Sequence, residues 1–159
     1  EYNKFACTYF TIANIFDKNI HPMTSCPAPL SLFNEQDVLA TLVHRDLVFD
    51  TKGINLNGKP LDEVYLKEIF EDEPDSKEEA YVYFIRRLSY SDGNNLIAHR
   101  CAIVRTQTEL LLVDPALSHS FDLLDTPLSN LHIVALDIIY SYKTKQPITY
   151  KTSELRHIL

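Results

Sequence analysis

Apolar residues recur nearly all round a helical wheel over residues 4–17, where Phe5, Ala6, Tyr9, Phe10, Ile12, Ala13 and Phe16 leave no broad polar stripe. That pattern predicts a buried helix with Asn3 as its N-cap. Over 17–33, Pro22, Pro27 and Pro29 remove backbone donors, so an irregular surface connection is expected, one able to line a cleft. Asn34 then caps a second amphipathic helix, EQDVLATLVHRD, with Val38, Leu39, Leu42 and Val43 inward, and TKGINLNGKP breaks it. A third helix over 61–70 partly buries Val64, Leu66, Ile69 and Phe70 and ends in the acidic run EDEPD. Ser76 with Glu79 three residues on reads as a capping box, which makes KEEAYVYFIRRLSY a fourth helix.

From Leu96 the character changes. β-Branched and aliphatic residues take over in LIAHRCAIV, ELLLVD, HSFDLL and LHIVALDIIYSY, which read as strands. Helices first and strands after predict an α+β fold, with N-terminal helices packed on a C-terminal antiparallel β-sheet. The 159 residues contain no internal repeat, no low-complexity tract and no linker long enough to separate a second domain, so one domain over 1–159 is expected.

The first two of these strands form a hairpin expected to turn at Thr106-Gln107, and an even loop there puts His99 directly opposite Asp114. Opposed residues share a face with Cβ atoms about 4.5–5.5 Å apart, within reach of an imidazole–carboxylate hydrogen bond. Thr-Gln is a poor type I′ dipeptide, and a three-residue loop would shift the pairing by one. A His held by a carboxylate wants a third partner, and Cys7 supplies a thiol in or just past the first turn of the first helix. The helix dipole and a neighbouring imidazolium both stabilise a thiolate. Cys7, His99 and Asp114 then serve as nucleophile, base and orienter of the base.

Packing offers the plainer account of each residue, since Cys is among the most buried residue types and a strand His is commonly just a satisfied polar group. Cys101 is a rival nucleophile on the same strand face as His99 but lacks a helix N-terminus; Cys26 in SCPAP reads as a loop residue. His44, His119 and His132 read as structural or solvated. Cys7, Cys101, His99 and Asp114 are suitable zinc ligands by type, yet no local ligand pair exists, so neither a metal nor another cofactor is expected. Three glycines and no G-x-x-x-x-G-K pattern exclude a phosphate-cradling loop.

The order of these elements, FACTYFTIANIF with Cys7, then IAHRCAIV with His99, then LLLVDPAL with Asp114 fifteen residues later, resembles the papain-like cysteine hydrolases. The likeness is one of order, spacing and context over roughly residues 3–138, and it extends to viral leader proteases and to bacterial effectors that cleave or deamidate host proteins. It implies a papain-like fold and a mechanism in which Cys7 attacks an amide carbonyl of a protein substrate, His99 shuttles the proton and Asp114 holds its tautomer. Peptide cleavage, isopeptide cleavage such as deubiquitination, and glutamine deamidation all remain open within that chemistry. Many such enzymes place a Gln about six residues before the nucleophile as an oxyanion donor, where this chain has Glu1. An upstream donor, or Asn3 with the Cys7 backbone N–H, takes that role instead. Thr8 and Tyr9 replace the usual small residue after the nucleophile. An acyltransferase with the same triad, and a non-enzymatic protein-binding α+β module with a degenerate triad, are the competing readings.

A net charge of −7 and a pI near 5.3 argue against nucleic acid or an anionic membrane as the main partner, and suit a substrate with a basic surface. Three cysteines cannot all pair, and no C-x-x-C occurs, which points to a reducing compartment; the bacterial-effector likeness extends that to a host cytosol. No run approaches 18 apolar residues, so no membrane insertion is expected. The opening EYNKFAC lacks a signal-peptide n-region, and the absence of an initial Met suggests a processed or excised fragment.

Overall fold

The computed structural model describes residues 11, 15–16, 39–40, 45–52, 61–91, 95–114 and 121–155. Alternation along one strand, β2 (Glu79–Ser91), organises them. Ala80, Val82 and Phe84 point to one side, Tyr83 and Ile85 to the other, and all five are buried. A strand apolar on both faces belongs in the middle of a sheet covered on both sides. Its neighbours are β3 (Asn95–Arg105) on one edge, and β6 (Ile133–Ser141) followed by β7 (Thr149–Lys151) on the other. With β1 (Leu47–Lys52), β4 (Leu110–Val113) and β5 (Phe121–Asp122), these strands make one seven-stranded antiparallel sheet in the order β1-β6-β2-β3-β4-β5, with β7 beside β2.

The fold is thus α+β and dominated by its strands. The expected fourth helix is β2 itself. Ser76 does not cap a helix: its hydroxyl accepts from the Glu78 N–H at 3.1 Å, and the Glu79 N–H donates to the Ser76 carbonyl at 3.1 Å, a turn that launches the strand. The aromatic and β-branched run from Tyr81 to Ile85 favours extended backbone, and pairing on both edges outweighs the local cap. Two further strands, β1 and β7, were not anticipated; β1 follows directly on the expected second helix, and Arg45 and Asp46 are not helical.

One layer covers each face. On the first, helical Ile15, Phe16 and Leu39 pack with Val82, Phe84, Val104, Val113, Ile139 and Tyr150. On the second, α1 (Glu63–Phe70) lays Leu66 and Phe70 over Tyr83, Ile85, Ile103 and Leu136, beside a 3₁₀ turn at Leu128–Leu131. Asp62 caps α1 by accepting from the Val64 N–H at 3.0 Å. Val64 faces solvent rather than the core, a departure from the expected inner face. Of the first two expected helices, Thr11, Ile15, Phe16, Leu39 and Ala40 are helical, Arg45 and Asp46 are not, and the remaining residues lie outside the described set.

Two core tyrosines make the sheet sensitive to alkali. Burial pushes the Tyr83 and Tyr150 hydroxyls well above the ordinary tyrosine value of 10.0; at Tyr83 the neighbouring Tyr81 adds to it, and at Tyr150 the Arg45 guanidinium opposes it. With the folded value raised, the unfolded chain loses its protons first, so stability is intact below the unfolded value and falls as pH rises above about 10. Alkaline titration followed by tyrosinate absorbance and circular dichroism should show at least two of the nine tyrosines ionising only as the fold is lost. Ionisation of all nine in one step near pH 10, with the dichroism intact, would contradict this burial.

Candidate functional site

The β3–β4 hairpin turns one residue later than its sequence suggests. The Thr106 N–H donates to the Glu109 carbonyl at 2.9 Å, and the Thr106 hydroxyl accepts from the N–H groups of Glu109 at 2.9 Å and Thr108 at 3.3 Å. Gln107-Thr108 is therefore the central dipeptide, and the Thr106 side chain satisfies the donors inside the turn. Arg105 faces Leu110 and Ala102 faces Val113, so the register is displaced by two residues from the one that sets His99 directly opposite Asp114. A two-residue displacement preserves the face. His99 and Asp114 become diagonal neighbours, with backbones about 7–8 Å apart, a gap long side chains span.

They span it here: His99 Nε2 lies 2.7 Å from Asp114 Oδ1, with both residues buried. The second carboxylate oxygen is held from the other side. Arg87 on β2 faces His99 on β3, and its Nη1 donates to Asp114 Oδ2 at 3.3 Å. The three groups form a row across β2, β3 and the end of β4 on the second face, in line with Ile85 and Cys101. An imidazole tied through one nitrogen to a carboxylate, itself tied to a guanidinium, has a fixed ring plane and a fixed tautomer preference.

The other face carries a second charged pair. Arg100 Nη1 donates to Asp137 Oδ2 at 2.5 Å, reaching diagonally across β2, and both side chains are buried. Next to it, where β3 runs past the end of β4, the Thr11 hydroxyl donates to the Arg100 carbonyl at 3.3 Å. Phe16 meets the Tyr150 ring at 5.2 Å near the opposite end of the sheet. Thr11 therefore sits at the His99 end of the first face, with Phe16 towards its other end.

Of the expected site residues, His99 and Asp114 are brought together, while Cys7 and Asn3 lie outside the described residues, as do Cys26, His44 and His119. Cys101 is fully buried on the strand face that carries His99. His132 is the exposed C-cap of the 3₁₀ turn, at φ 49°. Among the described residues no three His, Cys, Asp or Glu side chains converge as metal ligands, and no helix is long and apolar enough to cross a membrane. Sequence reasoning missed Arg87 and the Arg100–Asp137 pair. The available signal was arginine placed inside apolar strands, which demands a carboxylate nearby. No family model matches the chain, and neither a curated protein nor a solved structure matches it.

Removing one carboxylate from either buried pair strands its partners. Asp114→Ala and Asp137→Ala should each lower the unfolding free energy by about 3 kcal/mol in denaturant titrations. An unchanged midpoint in Asp114→Ala would mean that solvent, not burial, satisfies Arg87 and His99.

Proposed function

We propose that this chain is a papain-like cysteine hydrolase acting on an amide of a protein substrate, with Cys7 as nucleophile, His99 as general base and acid, and Asp114 as the residue that orients His99. The observation that carries the reading is the buried 2.7 Å contact between His99 Nε2 and Asp114 Oδ1, backed by Arg87. A carboxylate on Nε2 assigns proton exchange with the thiol to Nδ1. Thr11 adds support: it is helical, follows Cys7 by four residues, and is bonded to the carbonyl of the residue after His99. The proposal requires one further helical turn before Thr11, because residues four apart share a helical face.

In this mechanism the Cys7 thiolate attacks the carbonyl carbon, and the oxyanion is held by the Cys7 backbone N–H and Asn3. His99 delivers the thiol's proton from Nδ1 to the leaving amine as the C–N bond breaks, leaving an acyl thioester. Water then loses a proton to His99 and attacks the thioester, releasing the acid and returning the proton to sulfur. Cleavage of a peptide, cleavage of an isopeptide and deamidation of glutamine share every step and differ in the amine released. The reducing setting suggested by three cysteines without a C-x-x-C pattern, and delivery into a host cytosol as an effector, belong to the same proposal.

One observation favours a second reading, a non-enzymatic module that binds a protein partner. His99 shares its strand face with Cys101 and Ile103, whereas Ile15 and Phe16 pack with Ala102 and Val104 on the other face. In the hydrolase, the thiol must come to His99 around the edge of β3 that β4 leaves uncovered; in the module, it never does.

Alkylation separates the two. Iodoacetamide at pH 6–7, with mass spectrometry of the labelled peptide, should modify Cys7 selectively in the wild type and about tenfold or more slowly in His99→Ala. Equal rates in the two proteins would defeat the hydrolase reading.

A further inference from the structure

At the far end of the second face, a cavity of about 560 Å³ opens between α1 and the sheet, lined by Tyr65, Tyr81, Tyr83, Tyr140, Asp72 and Glu73 among others. Its origin is topological. β2 pairs with β6 from Tyr83 onward but with β7 at Glu79–Tyr81, so the sheet divides there, and Pro147, bridged to Tyr140, closes one wall. Tyr81 and Tyr83 point the same way with centroids 6.3 Å apart and rings at 45°, while Phe70 meets Tyr83 edge-on at 5.2 Å and backs it from the core. Four tyrosines line one opening, and the face of an aromatic ring carries negative potential.

The charge at the opening has the same sign. Glu73 is matched by Arg105 at 3.3 Å, whereas Asp72 and Asp75 make no ion pair among the described residues. Both carboxylates act on the rings: Asp75 and Asp72 add to burial in raising the Tyr81 hydroxyl, and Asp72 does so at Tyr83. Rings and carboxylates together disfavour an anion and favour a cation with an apolar stem. The chain shows this chemistry on a small scale nearby, where the Lys145 ammonium sits 4.0 Å from the centre of the Tyr142 ring.

We propose that the Tyr65–Tyr81–Tyr83–Tyr140 cavity, with Asp72 at its mouth, binds an alkylammonium group, and that its occupant is a lysine side chain presented by a protein partner. The volume exceeds what a lone ammonium needs and accommodates the four-carbon stem with adjoining backbone. The site begins about 13 Å along β2 from Arg87, at Tyr83, and does not depend on the hydrolase reading, since a binding module would use it equally.

Titration of N-acetyl-lysine methylamide, followed by the tyrosine ring resonances in NMR, tests this on the whole chain. N-acetyl-norleucine methylamide is the uncharged comparison, and n-butylammonium the cation without a peptide. The lysine derivative and butylammonium should both saturate shifts at Tyr81, Tyr83 and Tyr140, and the norleucine derivative should bind about tenfold more weakly or not at all. Asp72→Asn, at an exposed position that leaves the core untouched, and Tyr140→Leu should each weaken lysine binding about threefold or more. Equal binding of the norleucine derivative, or no effect of Asp72→Asn, would overturn the cation site. Binding of butylammonium without the lysine derivative would overturn lysine as its occupant.

Discussion

The pairing of β2 along both edges is the constraint on which the rest depends. Fixed against β3, it sets Arg87 opposite His99 and Arg86 opposite Arg100. Fixed against β6 and then β7, it opens the tyrosine-lined cavity where it changes partners. A bulge at Arg86/Arg87 lets β6 keep its buried residues inward past this point, and there Arg87 turns toward Asp114. Because side chains alternate with a period of two, a slip of one residue along β2 would send Arg87 to the other face and remove its guanidinium from Asp114.

Charge is distributed across this sheet in a way a stability argument would not choose. Each face holds a buried or nearly buried arginine–carboxylate contact, and apolar residues of similar volume serve stability as well or better. On the first face Arg100 and Asp137 match one another. On the second, Asp114 divides its two oxygens between a guanidinium and an imidazole, an arrangement that fixes the imidazole in direction as well as position. That hold on the imidazole is the physical ground for the proposal of chemistry on the second face.

Much of this was legible in the chain. Parity alone placed His99 and Asp114 on one face, and it survived a turn that falls one residue later than expected, because the displacement is even. α1 and the strands around residues 96–105, 110–113 and 133–141 followed from periodicity and composition; the Asp62 cap did not. What failed had specific causes. Ser76 and Glu79 matched a helix-start signature, but the residues after them are strand formers whose partners lie far along the chain, and no local motif carries that information. β7 is three residues long, too short for an alternating pattern. Arg87 joined the site only through a register that spans the β2–β3 hairpin.

The cysteine-hydrolase account joins two ends of the sequence, a thiol near the start and an imidazole nearly a hundred residues later, through a single proton. The most direct test reads that imidazole. Long-range ¹H–¹⁵N correlation spectra of His99 should show a proton on Nε2 directed at Asp114, and blocking the Cys7 thiol with iodoacetamide should shift the Nδ1 resonance while Nε2 stays engaged. A His99 ring whose two nitrogen resonances are unchanged by a modified Cys7 would show that the thiol and the imidazole do not meet.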